Sequence, residues 1–150
     1  MRLFISLFVI MTIVFSCSND DNREDTILET PDINGVWKPT RYEYKGKTYP
    51  LTDCEKKGQI LVNINFAGIY ERYGENTSGN CNLFDSFSGS WTYDKMNKIL
   101  TLTYNENGTA KTLKKQIEDF SSTELKITDT SKDLDNVPGN DEASLVFTKQ

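Results

Sequence analysis

The chain contains no histidine, and this absence excludes several kinds of chemistry. Without an imidazole there is no Ser-His-Asp or Cys-His catalytic group, no histidine-ligated zinc and no use of the commonest general base. Catalysis would depend on Asp, Glu, Lys or Tyr, and no spacing in the sequence singles out a pair of them. We therefore predict that the protein is not an enzyme and that it has no cofactor and no metal site.

The sequence also lacks concentrated positive charge. Its formal net charge is −5, and its 17 lysines and arginines are scattered rather than clustered. Binding to a phosphate backbone depends on concentrated basic charge, so we exclude nucleic acid as a partner. No stretch sustains a helical period. A hydrophobic content of 37% in 150 residues is enough for the core of one domain.

The long apolar run of this sequence lies at its N-terminus. Residues 1–16 carry one positive charge, Arg2, and then apolar residues up to Phe15. This pattern is typical of a signal peptide and is too short for a membrane-spanning helix. The stretch Val14-Phe15-Ser16-Cys17 resembles a bacterial lipobox, which implies that Cys17 carries a lipid and becomes the mature N-terminus. The alternative is an ordinary signal peptide in which Cys17 is incidental.

Residues 17–32 are highly charged and contain almost nothing that a core could bury. We interpret them as a flexible tether. A lipid on Cys17 would attach the protein to the membrane as an outer membrane lipoprotein of the bacterial cell envelope. The acidic pair Asp20-Asp21 is similar to a signal for display on the outer face, although a merely solvated linker has the same composition.

Residues 33–150 show short alternating apolar stretches separated by turn residues, which predicts β-strands. In Gly35-Val36-Trp37 the glycine permits a tight turn and the indole can plug one end of a closing sheet. Ala67-Gly68 predicts a two-residue hairpin turn. We expect an all-β, eight-stranded antiparallel up-and-down barrel, with a β-sandwich as the alternative. The predicted strands are 36–44, 59–66, 69–73, 87–93, 98–104, 109–118, 124–129 and 143–148.

From Gly35 to Lys149 the chain resembles the bacterial lipocalin-like lipoproteins. The resemblance rests on these motifs together with Cys54 and Cys81: Gly35-Val36-Trp37, Phe66-Ala67-Gly68-Ile69-Tyr70, Gly89-Ser90-Trp91, Ile99-Leu100-Thr101-Leu102, and Ile117 with Leu125-Lys126-Ile127. It implies a barrel that binds a small hydrophobic or amphipathic ligand without catalysis. Lys149 is the residue that could replace the arginine that often covers the first tryptophan of such barrels.

Alternation places one set of side chains on the inner face of the barrel. The set is Ile60, Val62, Ile64, Phe66, Trp91, Tyr93, Leu100, Leu102, Tyr104, Leu113, Ile117, Leu125, Ile127, Leu145 and Phe147. From the resemblance, we predict ligand contacts at Val62, Ile64, Phe66, Trp91, Tyr93, Leu102, Tyr104, Ile117 and Ile127. Gly89 and Ser90 leave room beside Trp91, where we expect the pocket to open.

The same inward-facing residues would form a solid core if no cavity existed. The alternative function is therefore a surface protein-interaction or inhibitor module with a filled barrel. Such a module would bind a protein partner through the loops at 50–58, 74–86 and 130–142.

With Cys17 lipidated, Cys54 and Cys81 are an even pair in an oxidising compartment, and we predict a disulfide between them. A redox pair or metal thiolates would require closer spacing and a neighbouring histidine or cation. The acidic stretch from Asp129 to Glu142 offers oxygen ligands for calcium. It fails the EF-hand pattern, because Pro138 stands where a loop beginning at Asp133 needs glycine. We therefore interpret it as a solvated, mobile loop.

Mass spectrometry of the mature protein from its native host tests the lipobox. We expect a mature chain that begins at Cys17 and carries a diacylglyceryl group there. An unmodified N-terminus at Cys17, or cleavage elsewhere, would contradict this interpretation.

Overall fold

The computed structural model describes residues 32–150, so the predictions for the signal peptide, Cys17 and residues up to 31 lie outside the described residues. The described chain forms one antiparallel sheet of nine strands. They are β1 (Gly35–Tyr44), β2 (Lys47–Pro50), β3 (Gln59–Val62), β4 (Ala67–Glu75), β5 (Cys81–Asp94), β6 (Ile99–Glu106), β7 (Thr109–Phe120), β8 (Glu124–Lys132) and β9 (Asp141–Lys149), with a short 3-10 helix at Glu55–Lys57. Within these residues, no helix has the length and apolar character needed to cross a membrane.

Eight of the strands close into a barrel. The strands from β3 to β9 follow one another in meander order, and β1 pairs with both β3 and β9. The short strand β2 pairs with the far end of β1, from Arg41 to Tyr44, so the two strands form a hairpin at one end of the barrel. The predicted all-β, eight-stranded antiparallel barrel is therefore confirmed, and the structure is not a β-sandwich.

The junction between β1 and β9 contains a bulge beside Pro39. Proline has no backbone N–H to donate to the neighbouring strand, and a bulge is one of the places where a sheet accepts it. The hydroxyl group of Thr40 donates a hydrogen bond to the carbonyl oxygen of Val146 at 3.1 Å. This side-chain donor gives that carbonyl a hydrogen bond at the point where the register of the two strands shifts.

Ion pairs cross the same junction on the outer surface. Arg41 on β1 pairs with Glu124 on β8 at 2.9 Å, and Lys126 on β8 pairs with Glu43 on β1 at 2.8 Å. Val146 on β9 is the register partner of both Arg41 and Lys126, and it is fully buried. The charged side chains therefore connect β1 to β8 across β9 at the position of a buried apolar residue.

Trp37 closes one end of the barrel, which we call the floor. The indole is fully buried, its Nε1 donates to the carbonyl oxygen of Ile33 at 2.8 Å, and Phe120 contacts it edge-on. The Nζ of Lys149 lies 5.2 Å from the centroid of the indole, where the resemblance suggested a substitute cation. Gly35 has φ of +136°, and a Cβ there would lie 2.5 Å from the side chain of Lys149. The predicted plug is present, and Gly35 is the first residue of β1.

A packed apolar core extends inward from Trp37. The indole Nε1 of Trp91 donates to the carbonyl oxygen of Leu61 at 2.9 Å, which satisfies the polar atom of this buried ring. Side chains from four other strands belong to the same core, each with at most 1% of its surface exposed: Ile60, Val62, Leu100, Leu102, Ile117, Leu125 and Ile127. Their burial confirms the inner face that alternation predicted for them.

The predicted strand 59–66 was wrong in its second half. β3 ends at Val62, and residues 63–66 form the turn, in which Phe66 has φ of +61°. Ile64 is 87% exposed and Phe66 is 44% exposed, so the prediction that these two side chains face the interior is corrected. The alternation of this stretch did not distinguish a strand from the turn that follows it.

The structure also contains one strand that was not predicted and several strands that are longer than predicted. The segment 47–50, assigned to no strand, is β2, and the predicted polar loop from 74 to 85 is largely occupied by the ends of β4 and β5. β8 continues to Lys132 instead of ending at residue 129. These segments lack the regular apolar alternation on which the prediction depended, and Leu83 and Phe84, for example, are adjacent apolar residues.

Replacing Leu102 by alanine tests the packed core. Leu102 is fully buried, so Leu102→Ala should lower the free energy of unfolding by about 3 kcal/mol, through lost burial and the cavity left behind. Leu83 is 47% exposed, and Leu83→Ala should cost less than about 1 kcal/mol. Denaturation in urea measures both, and equal losses would contradict the packing described.

Candidate ligand-binding site

The end of the barrel opposite Trp37, which we call the mouth, is not filled by side chains. A cavity of about 370 Å³ lies between the strand pairs β4–β5 and β7–β8. A second cavity, of about 170 Å³, lies beneath the 3-10 helix and reaches Leu145 and Phe147 on β9. Tyr70, Arg72 and Ser131 line both cavities, which are therefore neighbouring parts of one mouth.

Two acidic side chains of the mouth already have hydrogen-bond partners. Asp85 on β5 accepts a hydrogen bond from Nε of Arg72 on β4 at 2.5 Å. Asp129 on β8 is only 6% exposed, and its Oδ1 accepts from the backbone N–H of Ser131 at 2.9 Å and from the Ser131 hydroxyl group. Burying these polar groups is tolerated because they are hydrogen-bonded.

Lys115 on β7 also lines the larger cavity, but its ammonium group is not hydrogen-bonded to a described side chain. Its Nζ lies 5.0 Å from the centroid of the Tyr70 ring, a cation–π distance. Within the described chain, Lys115 makes no ion pair within 4.0 Å and no hydrogen bond through its side chain. Burial lowers the pKa of its ammonium group, because removal from water penalises the charged form.

A stack of three aromatic rings reaches the mouth through Tyr70. The ring of Phe87 on β5 lies 4.3 Å from that of Tyr104 on β6 and 6.4 Å from that of Tyr70 on β4, measured between centroids. The interplanar angles are 19° and 12°. Tyr70 is buried and lines both cavities, whereas the other two rings are half-buried and line neither cavity. Tyr70 and Leu113 are therefore the apolar side chains of the larger cavity.

Tyr42 supplies a neutral polar group to the mouth. Its hydroxyl group lies 3.5 Å from the hydroxyl group of Ser131, and burial raises its pKa to about 12. Burial raises the pKa of Tyr70 as well. Both phenols therefore keep their protons at neutral pH and can donate hydrogen bonds to a bound molecule.

The rim of the mouth is held by a covalent bond and an ion pair. Cys54 and Cys81 form a disulfide with Cα atoms 5.4 Å apart, which confirms the predicted pairing. The bond joins the start of the 3-10 helix to the start of β5. Glu55, the next residue, pairs with Lys132 at the end of β8. The strands around the mouth are thus connected through the segment before β3.

Most of the predicted ligand contacts lie away from the mouth. Val62, Leu102, Ile117 and Ile127 are core residues, and Ile64 is on an exposed turn. Phe66, Trp91 and Tyr93 line a groove of about 490 Å³ at the floor end. Tyr104 stacks on Phe87 and lines neither cavity of the mouth. The inward position is corrected for Ile64 and Phe66, and a role in binding stays a prediction for the nine residues.

A groove does lie beside Trp91, but Gly89 does not supply the room for it. A Cβ placed on Gly89 would lie 2.0 Å from the carbonyl oxygen of Thr103 on the neighbouring strand. The glycine is therefore needed because two backbones approach closely, and it creates no free space.

Sequence reasoning missed the charged residues of the mouth, although alternation contained a signal for them. Lys115 stands between Leu113 and Ile117, and Asp129 follows Ile127 by two positions. A charged residue that continues an apolar inner face must itself face inward, because side chains alternate along a strand. The same rule, counted from Tyr70 and Phe87, identifies Arg72 and Asp85.

Three acidic residues of the predicted mobile loop lie close together. The carboxylate oxygens of Asp133, Asp135 and Asp141 lie within 4.8 Å of one another. Asp135 accepts hydrogen bonds from the Tyr44 hydroxyl at 3.2 Å and from Lys45 Nζ at 3.0 Å. These contacts hold the loop against the β1–β2 hairpin, and the prediction that the protein has no metal site stays a prediction.

Comparison with known proteins identifies the family. Residues 33–128 match the model of the lipocalin-like domain. The match covers more than half of the chain, and the chain belongs to the lipocalin-like domain family. A search of curated proteins found no match.

The raised pKa of Tyr42 predicts a loss of stability in alkali. The unfolded tyrosine titrates near pH 10 and the folded one near pH 12, so the unfolded chain loses this proton first. The free energy of unfolding should be unaffected by this group below pH 10 and fall by about 2 kcal/mol as the pH rises to 12. Urea denaturation across this pH range should show a smaller fall in the free energy of unfolding for Tyr42→Phe than for the parent protein. An equally steep fall in both proteins would refute the assignment.

Proposed function

We propose that this protein is a non-catalytic barrel that binds one small amphipathic molecule in its mouth and is anchored to the outer membrane by a lipid on Cys17. The observation that carries the proposal is the division of the interior into a packed floor and an unfilled mouth. A purely structural barrel of eight strands could be filled by its own side chains throughout. The larger cavity of the mouth, about 370 Å³, falls within the size range of small-molecule sites.

The walls of the mouth suit a molecule that is apolar in one part and polar in another. Tyr70 and Leu113 offer apolar surface in the larger cavity. Arg72 and Lys115 lie beside them and offer charged donors. Polar groups placed around a ligand are the usual means by which a pocket fixes the orientation of that ligand.

The position of the first described residue is consistent with the proposed anchor. This residue, Asp32, lies at the floor, where its carbonyl oxygen accepts a hydrogen bond from Lys149 Nζ at 3.1 Å. A tether that leaves from the floor would allow the mouth to face away from the membrane. The mouth would then be accessible to a dissolved ligand.

The exposed rim favours a second function, a protein-interaction module. Leu83 and Phe84 at the start of β5 are each about half exposed, at 47% and 46%, and Val137 in the loop before β9 is 62% exposed. Exposed apolar residues around a rim are suited to contact with another protein. Cross-linking on intact host cells, comparing the protein with a Leu83→Ser/Phe84→Ser variant, would show whether a partner depends on this rim.

Filling the mouth by mutation tests the binding function. The mature chain with Cys17→Ser needs no detergent, and it should bind the dye Nile red saturably at one site. Leu113 lines the larger cavity, so Leu113→Trp should reduce this affinity by about tenfold or more by occupying the space. Thr112 is exposed on the same strand, and Thr112→Trp should bind as the parent does.

Fluorescence titration measures the affinity, and far-UV circular dichroism confirms the fold of both variants. No saturable binding by the parent, or equal binding by both variants, would contradict a site in the mouth.

A further inference from the structure

The charge on Lys115 has no counter-ion of its own. The side chain lines the larger cavity, its Nζ faces the Tyr70 ring at 5.0 Å, and its only described partner is that ring. A cation withdrawn from water is costly unless it is paired or hydrogen-bonded. An ammonium group has three N–H donors, and a bound molecule can use all three.

The other charges of the mouth are already engaged. Arg72 is paired with Asp85, and Asp129 accepts two hydrogen bonds from Ser131. Neither carboxylate lies within ion-pair distance of Lys115, although both act on it electrostatically. The anion that would complete this site is therefore not supplied by the described chain.

The surrounding charges also limit how much negative charge the anion can carry. Two carboxylates, Asp85 and Asp129, line the same cavity as the three cations Arg72, Lys114 and Lys115. The lining therefore carries one net positive charge, which suits a ligand with a single negative charge. A dianion such as a phosphate monoester would give the occupied cavity a net negative charge and would be repelled by the two carboxylates.

We infer that the mouth takes a monoanionic amphiphile, a carboxylic acid whose carboxylate is bound by Lys115 and whose apolar body lies against Tyr70 and Leu113. This inference rests on the proposed function and specifies the ligand of the same site. Lys115 is the residue that determines the preference for an acid. The two apolar side chains accept the apolar body whether or not the head group is charged.

Two ligands with the same chain and different head groups test the inference. Dodecanoate and dodecanol are titrated at pH 7 into the mature chain with Cys17→Ser, with displacement of bound Nile red as the signal. The parent protein should bind dodecanoate about tenfold or more tightly than dodecanol, since a hydrogen-bonded charge pair contributes about 1.5–3 kcal/mol. Dodecyl phosphate should bind more weakly than dodecanoate.

The variants assign the preference to one side chain. Lys115→Met should bring the two affinities to within about twofold by weakening dodecanoate alone, and Lys115→Arg should retain most of the preference. Lys111 is an exposed lysine of the same strand and does not line the cavity, so Lys111→Met is the matched control and should change neither affinity.

The outcomes separate this inference from the proposed function. If dodecanol binds as tightly as dodecanoate, or if Lys115→Met leaves the preference intact, the inference is overturned while a binding barrel remains. Tighter binding of dodecyl phosphate than of dodecanoate would overturn the inferred preference for a ligand with a single negative charge. If the parent binds neither ligand and no Nile red, the proposed function itself fails.

Discussion

The pairing of β1 with β9 is the constraint on which the rest of the structure depends. It joins residues from the two ends of the described chain, Trp37 with Lys149 and Glu43 with Ser144, and leaves the meander without a free edge. Contacts so distant in sequence are costly in chain entropy, so the junction must be well stabilised. Exposed ion pairs contribute little individually. The backbone pairing and the buried Val146 therefore contribute more than the charges of Arg41 and Lys126 that cross it.

Closure of the barrel creates an interior whose two ends differ in composition. The floor is packed with apolar side chains, and the mouth contains charged ones. Around Trp37 and Leu102 the side chains are fully buried, which is where the stability of the barrel originates. In the mouth, Asp129 and Lys115 are held in an environment that penalises charge, and such groups generally lower stability. A barrel selected for stability alone would place apolar residues at these positions. The charged mouth therefore supports the proposed binding function, and the packed floor offsets its cost.

The sequence predicted the floor well and the mouth poorly, for one physical reason. Apolar alternation such as Leu100 to Leu102 marks a strand that is buried on one face and exposed on the other. At the mouth the inner face includes charged residues such as Asp85, and the neighbouring Leu83 and Phe84 do not alternate with polar residues, so this strand end was interpreted as a loop. The prediction for Ile64 failed in the opposite way. This apolar residue lies in an exposed turn, and it continued the alternation of the strand by chance.

The pair of Asp129 and Ser131 resembles a base beside a hydroxyl nucleophile, and its surroundings favour binding over catalysis. The serine hydroxyl donates to the carboxylate, which also accepts the backbone N–H of the same serine. These two bonds form a local turn that holds the carboxylate in place, a common arrangement of Asp and Ser side chains. Serine nucleophiles are usually activated by a stronger base such as imidazole, and the chain has no histidine. The pair is thus better suited to fixing a negative charge near Lys115 than to attacking a bound molecule.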